Sequence, residues 1–347
     1  MEVSVDKLGN GLVHDGVRER TEVLNVDRYI DVLPAHCDPV PLLLSLDDHH
    51  SLRTIKITDQ PWRLHAIFSQ LVIPAHVSAV EAVGLVSGDC ASGLRAMVPR
   101  DRHNVLVLRL PTSLQVYDTM ELGTGISAIG SNGCRTTLKV IPGDDSPSWA
   151  MKKRRGGSLF LSLVQCLDLF EGAAVERIEF CGTLLGIPEA TWIATLALFP
   201  GIQEITLKDI PYPADHSFDA FICALAATSG TLPSPGRVLC PDLGSLTLRG
   251  RHYNDEFPES LIRCLRMREE RGARRLERLQ LELFPAIRNW NKVAPVALRE
   301  LLVPLADELK LEVFRTGDPQ GEVLRDADDW DPEKDRRRTR RRRSRRG

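Results

Sequence analysis

The chain has 347 residues, with 45 basic and 47 acidic side chains and 43% apolar content. That balance fits a folded body in water and excludes a wholly disordered chain. It carries 48 leucines against 19 aromatic residues, a skew that suggests aliphatic layers stacked one upon the next. The length predicts two domains at ~150 residues each, or else a solenoid that grows by repetition.

The first residues, MEVSVDKLGNG, lack the basic start and apolar stretch of a secretory leader. The richest apolar run, SLFLSLVQCLDLF, is interrupted by Gln165 and Asp168, so no membrane span is expected. Residues 1–50 read as an N-terminal cap or remnant segment. Near its end Asp47, Asp48, His49 and His50 could hold a metal only if they converged. Four adjacent side chains diverge, so they read as a solvated turn.

From residue 51 a spacing L-x-x-L-x-L recurs. It is plain at Leu243, Leu246, Leu248 and at Leu276, Leu279, Leu281. With other apolar residues admitted it falls on Leu52, Ile55, Ile57; Val80, Val83, Leu85; and Val105, Leu108, Leu110. It continues at Val175, Ile178, Phe180; at Ile202, Ile205, Leu207; and at Ala306, Leu309, Leu311, with a partial copy at Leu138 and Val140. The starts lie 25 to 41 residues apart. Between several of these strands the apolar period becomes helical: Phe160, Leu163, Val164, Leu167, Phe170; Trp192, Ile193, Leu196, Phe199; Phe218, Phe221, Ile222, Leu225; and Phe257, Leu261, Ile262, Leu265. Pro188 and Pro258 mark two starts, and Gly201, Gly230 and Gly272 mark stops.

A short strand and an amphipathic helix in alternation require a parallel sheet, because parallel neighbours need a crossover. With every helix on one side, the expected fold is α/β, an irregular leucine-rich-repeat solenoid over residues 51–316, with strands on a concave face and helices on the convex one. No asparagine follows the last leucine slot by three places, so the turns need local solutions. The eight cysteines are scattered with no C-x-x-C. They read as reduced, with Cys166, Cys223 and Cys264 on apolar helix faces. A cytoplasmic or nuclear protein is expected.

The run CPDLGSLTLRG…FPESLIRCLRMREERGARRLERLQLE, with SLRTIKITDQPWRLHAIFSQLVIPAHVSAV and FPGIQEITL, resembles the repeat region of the fungal, basidiomycete-type family of F-box and leucine-rich-repeat proteins. The resemblance covers most of residues 50 to 315. It implies a receptor that grips a protein on its repeats and presents it to a ubiquitin ligase through an F-box and the small SCF adaptor. The chain departs from that family at the F-box itself. The nearest candidate, LPAHCDPVPLLLSL, begins at Leu33-Pro34, but Pro39 and Pro41 break its helix.

No metalloprotease, nucleophile-elbow or Walker motif is present, so no enzyme, cofactor or metal is expected. GTGISAIG, residues 123–130, matches a phosphate loop only loosely, since Ser131-Asn132 replaces the Lys-Ser/Thr pair. It reads as a loop between repeats. The strand positions between leucine slots face outward. They bring Lys56, Gly84, Arg109, Lys139, Arg177, Glu204, Arg249, Arg278 and Gln280 to the concave face. Lys56, Arg109 and Lys139 suggest an acidic protein segment as partner.

Residues 317–347 are expected to be disordered, first acidic and then basic. Arg336, Arg337, Arg338, Arg340, Arg341, Arg342, Arg343, Arg345 and Arg346 form a run without an acid. Subtracting these nine from the total of −2 leaves −11 on residues 1–335. The run admits three readings: a nuclear-import address read by an import receptor, a non-specific nucleic-acid arm, or an intramolecular partner for the acidic body. Thr339 and Ser344 each follow three arginines, where basophilic kinases act.

Overall fold

The computed structural model describes residues 2–4, 23–27, 52–70, 73, 76–86, 90–99, 111–119, 123–142, 166–182, 184, 187–209, 218–227, 238–252, 257–285, 295–314 and 323–324. Among the described residues thirteen strands form one open, mostly parallel sheet. They are β1 Glu2–Ser4, β2 Val23–Asp27, β3 Thr54–Asp59, β4 Ala79–Val86, β5 Pro111–Thr119, β6 Gly123–Gly130 and β7 Arg135–Pro142. The rest are β8 Arg177–Gly182, β9 Glu204–Asp209, β10 Ser245–His252, β11 Leu276–Pro285, β12 Ala306–Phe314 and β13 Val323–Leu324. The helices are α1 Pro61–Gln70, α2 Cys90–Met97, α3 Glu189–Leu198, α4 Asp219–Ala226, α5 Phe257–Glu270 and α6 Pro295–Leu302, with a 3-10 turn at Cys166–Phe170.

Strand parity decides the layers. Alternate residues Ile55 and Ile57, Leu114 and Val116, Ile178 and Phe180, Ile205 and Leu207, Leu246 and Leu248, and Leu279 and Leu281 are all buried in one continuous core. The helices cover that side as a chain of neighbours, α1 on α2, then the 3-10 turn, then α3 to α6 in succession. Trp192 on α3 anchors the middle, meeting Phe180 of β8 at 5.1 Å and Phe221 of α4 at 5.3 Å, both edge to face. Such geometry sets the negative ring face against a positive edge.

The turns are satisfied by backbone rather than by an asparagine ladder. Each lead-in carbonyl accepts two consecutive N–H groups from the next unit: Glu176 O takes Gln203 and Glu204, Gln203 O takes Gly244 and Ser245, and Gly244 O takes Glu277 and Arg278. α5 ends with Gly272 at φ +80. Its N–H bonds Glu269 O, and the N–H of Ala273 bonds Arg268 O, the paired closure that favours glycine at this position.

The structure corrects the serial pattern at several places. β8 to β12 do follow one another with one helix each, but the sheet order further back is β4-β7-β6-β5-β8. β5, β6 and β7 form an antiparallel meander, so β7 rather than β5 lies beside β4. GTGISAIG is the middle strand of that meander, not a loop. Its reversal into β7 is made by Ser131-Asn132-Gly133, with Gly133 at φ +80 and Asn132 Oδ1 accepting the Cys134 N–H, which is ordinary hairpin chemistry. In β4 the leucine slots are Val77, Val80 and Ala82 rather than Val80, Val83 and Leu85, since Val80 pairs with Ile55 and Ala82 with Ile57.

That slip puts Gly84 on the helix side, where a Cβ would lie 3.0 Å from the Met97 sulfur and 3.1 Å from Val140. Glycine there lets α2 and β7 sit close, since any side chain would press on Met97 and Val140. Cys223 is exposed, whereas Cys240 and Cys264 are buried, and the described cysteines are free thiols. β1 and β2 from the first 50 residues, and β13 from beyond residue 316, extend the sheet at its two edges. The triplet at 105–110 and residues 160–165 of one expected helix lie outside the described residues.

Candidate binding face

The opposite parity defines the other side of the sheet, on which no helix packs among the described residues. The strand register aligns its side chains into rows running across ten strands. The middle row reads Lys56, Glu81, Thr137, Ser127, Gln115, Glu179, Thr206, Thr247, Gln280, Lys310. One row towards the strand ends come Val83, Lys139, Gly125, Tyr117, Cys181, Lys208, Arg249, Glu282 and Glu312. One row towards the starts lie Arg135, Ile129, Ser113, Arg177, Glu204, Ser245, Arg278 and Glu308. Strands ~4.8 Å apart set the spacing along each row.

Lys56, Arg177, Glu204, Arg249, Arg278 and Gln280 therefore share one face, as their parity requires. Lys139 shares it too, but one row above Lys56, because Thr137 takes the expected place. Arg109 and the arginine run with Thr339 and Ser344 lie outside the described residues. The basic stripe expected from Lys56 and Lys139 is broken by Glu81, which stands beside Lys56 and pairs with Lys139 Nζ at 2.5 Å.

Acids are interleaved along the rest of the face as well. Lys208 pairs with Glu179 at 3.0 Å, Arg249 with Glu282 at 3.3 Å, Arg278 with Glu308 at 3.0 Å and Lys310 with Glu312 at 2.8 Å. Gln115 donates to Glu179 at 3.0 Å and Gln280 to Glu282 at 2.7 Å. Half-exposed pairs of this kind contribute roughly 0–1 kcal/mol each, so they hold side chains in place more than they hold the fold. Lys56, Arg177 and Glu204 make no ion pair within the described chain, which leaves their charges available to a partner.

Sequence reasoning passed over one feature of this face. Above β4, β7, β6 and β5 is a depression of about 490 Å³ lined by Glu81, Val83, Gln115, Tyr117, Ser127, Arg135, Thr137, Lys139 and Ile141, with Thr58 at one side. In the row between Lys139 and Tyr117, Gly125 carries no side chain. A Cβ there would fall 2.5 Å from the Tyr117 hydroxyl, so the phenol ring lies across the glycine. Burial, then the Glu81 carboxylate, push Tyr117 up to about 12, with Arg135 opposing them. The hydroxyl is therefore a neutral donor at physiological pH. The sequence signal was the glycine-spaced GTGIS followed by Asn132-Gly133, which marks a hairpin rather than a phosphate loop.

Among the described residues no cluster of three His, Cys, Asp or Glu side chains could hold a metal ion. No described helix is long and apolar enough to cross a membrane. Compared with models of known protein families, with curated proteins and with solved structures, the chain matches none of them. Function is read from this surface.

Proposed function

We propose that the protein is a protein-interaction scaffold, an irregular leucine-rich-repeat-like horseshoe whose helix-free sheet face grips a protein partner. The observation that carries this reading is the register itself. Ten strands present an unbroken polar row from Lys56 to Lys310 on a side without helices among the described residues, while the helix side is committed to the core. Rows of polar and charged groups at fixed spacing suit recognition of an extended or surface-complementary protein segment. The resemblance to F-box and leucine-rich-repeat receptors supports the same role, as the substrate-holding part of a ubiquitin ligase receptor.

The test is partner capture on the full-length chain. A partner that binds this face is lost when Lys56 and Arg177 are changed to Glu and retained when Arg263 and Arg266, exposed on α5, are changed to Glu. Equal retention by both variants overturns the reading. Co-purification of the small SCF adaptor tests the ligase branch, and its absence leaves a scaffold without ligase function. The nine arginines of the C-terminal run favour a second reading, a nuclear or nucleic-acid-associated protein. Affinity for single-stranded RNA should then fall with salt at a slope near −0.7 per phosphate contact, and changing those arginines to glutamine should abolish it.

A further inference from the structure

The inference rests on the interaction reading and gives the partner's chemistry. The Tyr117 ring lies over Gly125 at one side of the depression, and the polar lining converges from β4, β5, β6 and β7. Arg135 on β7 uses its Nε to donate to Ser127 Oγ at 3.2 Å, and Ser127 in turn bonds the Thr137 hydroxyl at 3.2 Å. That contact fixes the plane of the guanidinium, and its two terminal nitrogens form no ion pair within the described chain. Tyr117 is 5% exposed, and its hydroxyl, held over Gly125, has no hydrogen-bond partner among the described residues. Lys139 and Glu81 neutralise each other at the opposite side.

Arg135, Lys139 and Glu81 together leave one net positive charge in the depression. A planar guanidinium with two free terminal NH2 groups, plus one phenol O–H, matches the lone pairs of a single carboxylate. A phosphate monoester would bring nearly two charges against Glu81, with only one to balance them. Val83 and Ile141 supply a small apolar wall for a methylene stem.

We propose that this depression receives the carboxylate of an aspartate or glutamate side chain from an acidic segment of the partner protein. The carboxylate accepts from Arg135 and Tyr117, and the rest of the segment runs along the middle row.

The probe is a fluorescein-labelled octapeptide with four glutamates spaced by glycine, compared with its glutamine counterpart by anisotropy. The full-length chain is used with its nine tail arginines changed to glutamine, so that the probe has no alternative basic arm. The glutamate peptide should bind about tenfold or more tightly than the glutamine peptide. Arg135→Gln should weaken it about tenfold, consistent with loss of a charge-assisted bond, and Tyr117→Phe about threefold. Arg135→Lys should restore part of the loss, and Arg275→Gln, exposed on the surface beside Asp307, should change nothing.

Equal binding by the parent and Arg135→Gln, or no preference for glutamate, overturns the proposal. In a further arm the acids between Asp326 and Asp335 are neutralised. Binding that appears only then means that the chain's own acidic segment occupies the depression, which overturns assignment to a partner. If the peptide fails while partner capture still depends on Lys56 and Arg177, the pocket assignment falls and the interaction reading stands. If capture is also insensitive, both fall.

Discussion

Arg268 sits near the end of α5 with 3% of its surface exposed, yet both of its terminal nitrogens are hydrogen-bonded. Its guanidinium donates to Leu225 O at 2.8 Å, Leu239 O at 2.7 Å and Cys240 O at 2.8 Å. It thereby ties the end of α4 and the lead-in to β10 to α5. Cys240 adopts φ 46, a left-handed conformation uncommon for a residue with a side chain, and the Arg268 bond to its carbonyl holds it there. Arg268→Met should cost about 3 kcal/mol in a urea melt, because three buried carbonyls lose a charged donor. Arg268→Lys should fall between, since an ammonium cannot span three acceptors in one plane. Thr136 presents the opposite case. Its hydroxyl is buried on the core side without a hydrogen-bond partner, so Thr136→Val should raise stability by about 1 kcal/mol.

The thiols beside Arg268 give a pH signature. Burial pushes Cys240 and Cys264 up to about 12, with Arg268 pulling the other way. An unfolded thiol ionises near ~8.5. Between that value and about 12 the folded chain holds more protons than the unfolded one, so its stability is complete below ~8.5 and falls as pH rises. Urea melts at pH 7.5 and 10 should differ by a few kcal/mol. The Cys240→Ala, Cys264→Ala double variant should flatten that slope, and an unchanged slope would remove the thiols as its cause.

At the scale of elements, the strands legible in the sequence were those whose inward residues are all large aliphatics. Leu246 with Leu248 and Leu279 with Leu281 announce both strand and register, and their helices carry stripes such as Phe218, Phe221, Ile222 and Leu225. The meander was hidden because β6 turns inward only Ile126 and Ala128 from the stretch Gly125 to Ile129, so composition resembles a loop. β4 was misread by one unit because Val77, Val80 and Val83 are all apolar and all buried, leaving parity to be settled by pairing with β3. The open face was foreseeable from parity alone, whereas the depression depended on strand order that no local spacing reveals. Trp192 tests the helical layer. Trp192→Ala should cost ~3–5 kcal/mol through lost burial and a cavity between β8 and α4, measured by chemical denaturation. A loss under ~1 kcal/mol would mean that the aromatic stack does not bind the two layers.

Across the whole molecule, one side of the sheet is used up in packing and the other, free of helices among the described residues, is the face proposed for recognition. The rows become a single surface only because the meander keeps β5 and β7 parallel to their outer neighbours, with β6 reversed between them. Side-chain parity therefore passes through the meander without a break, and Lys56 and Lys310 lie in one line. On the proposed reading, the interleaved ion pairs make this surface specific rather than sticky, since a partner would have to match the charges at Lys56, Arg177 and Glu204. Carboxyl footprinting of the full-length chain, free and bound to its captured partner, tests this most directly. The account predicts that labelling of Glu204 and Glu308 falls on binding while Glu259, Glu269 and Glu300 on the helices are labelled as before. Protection of the helix carboxylates, with Glu204 and Glu308 still reactive, would contradict it.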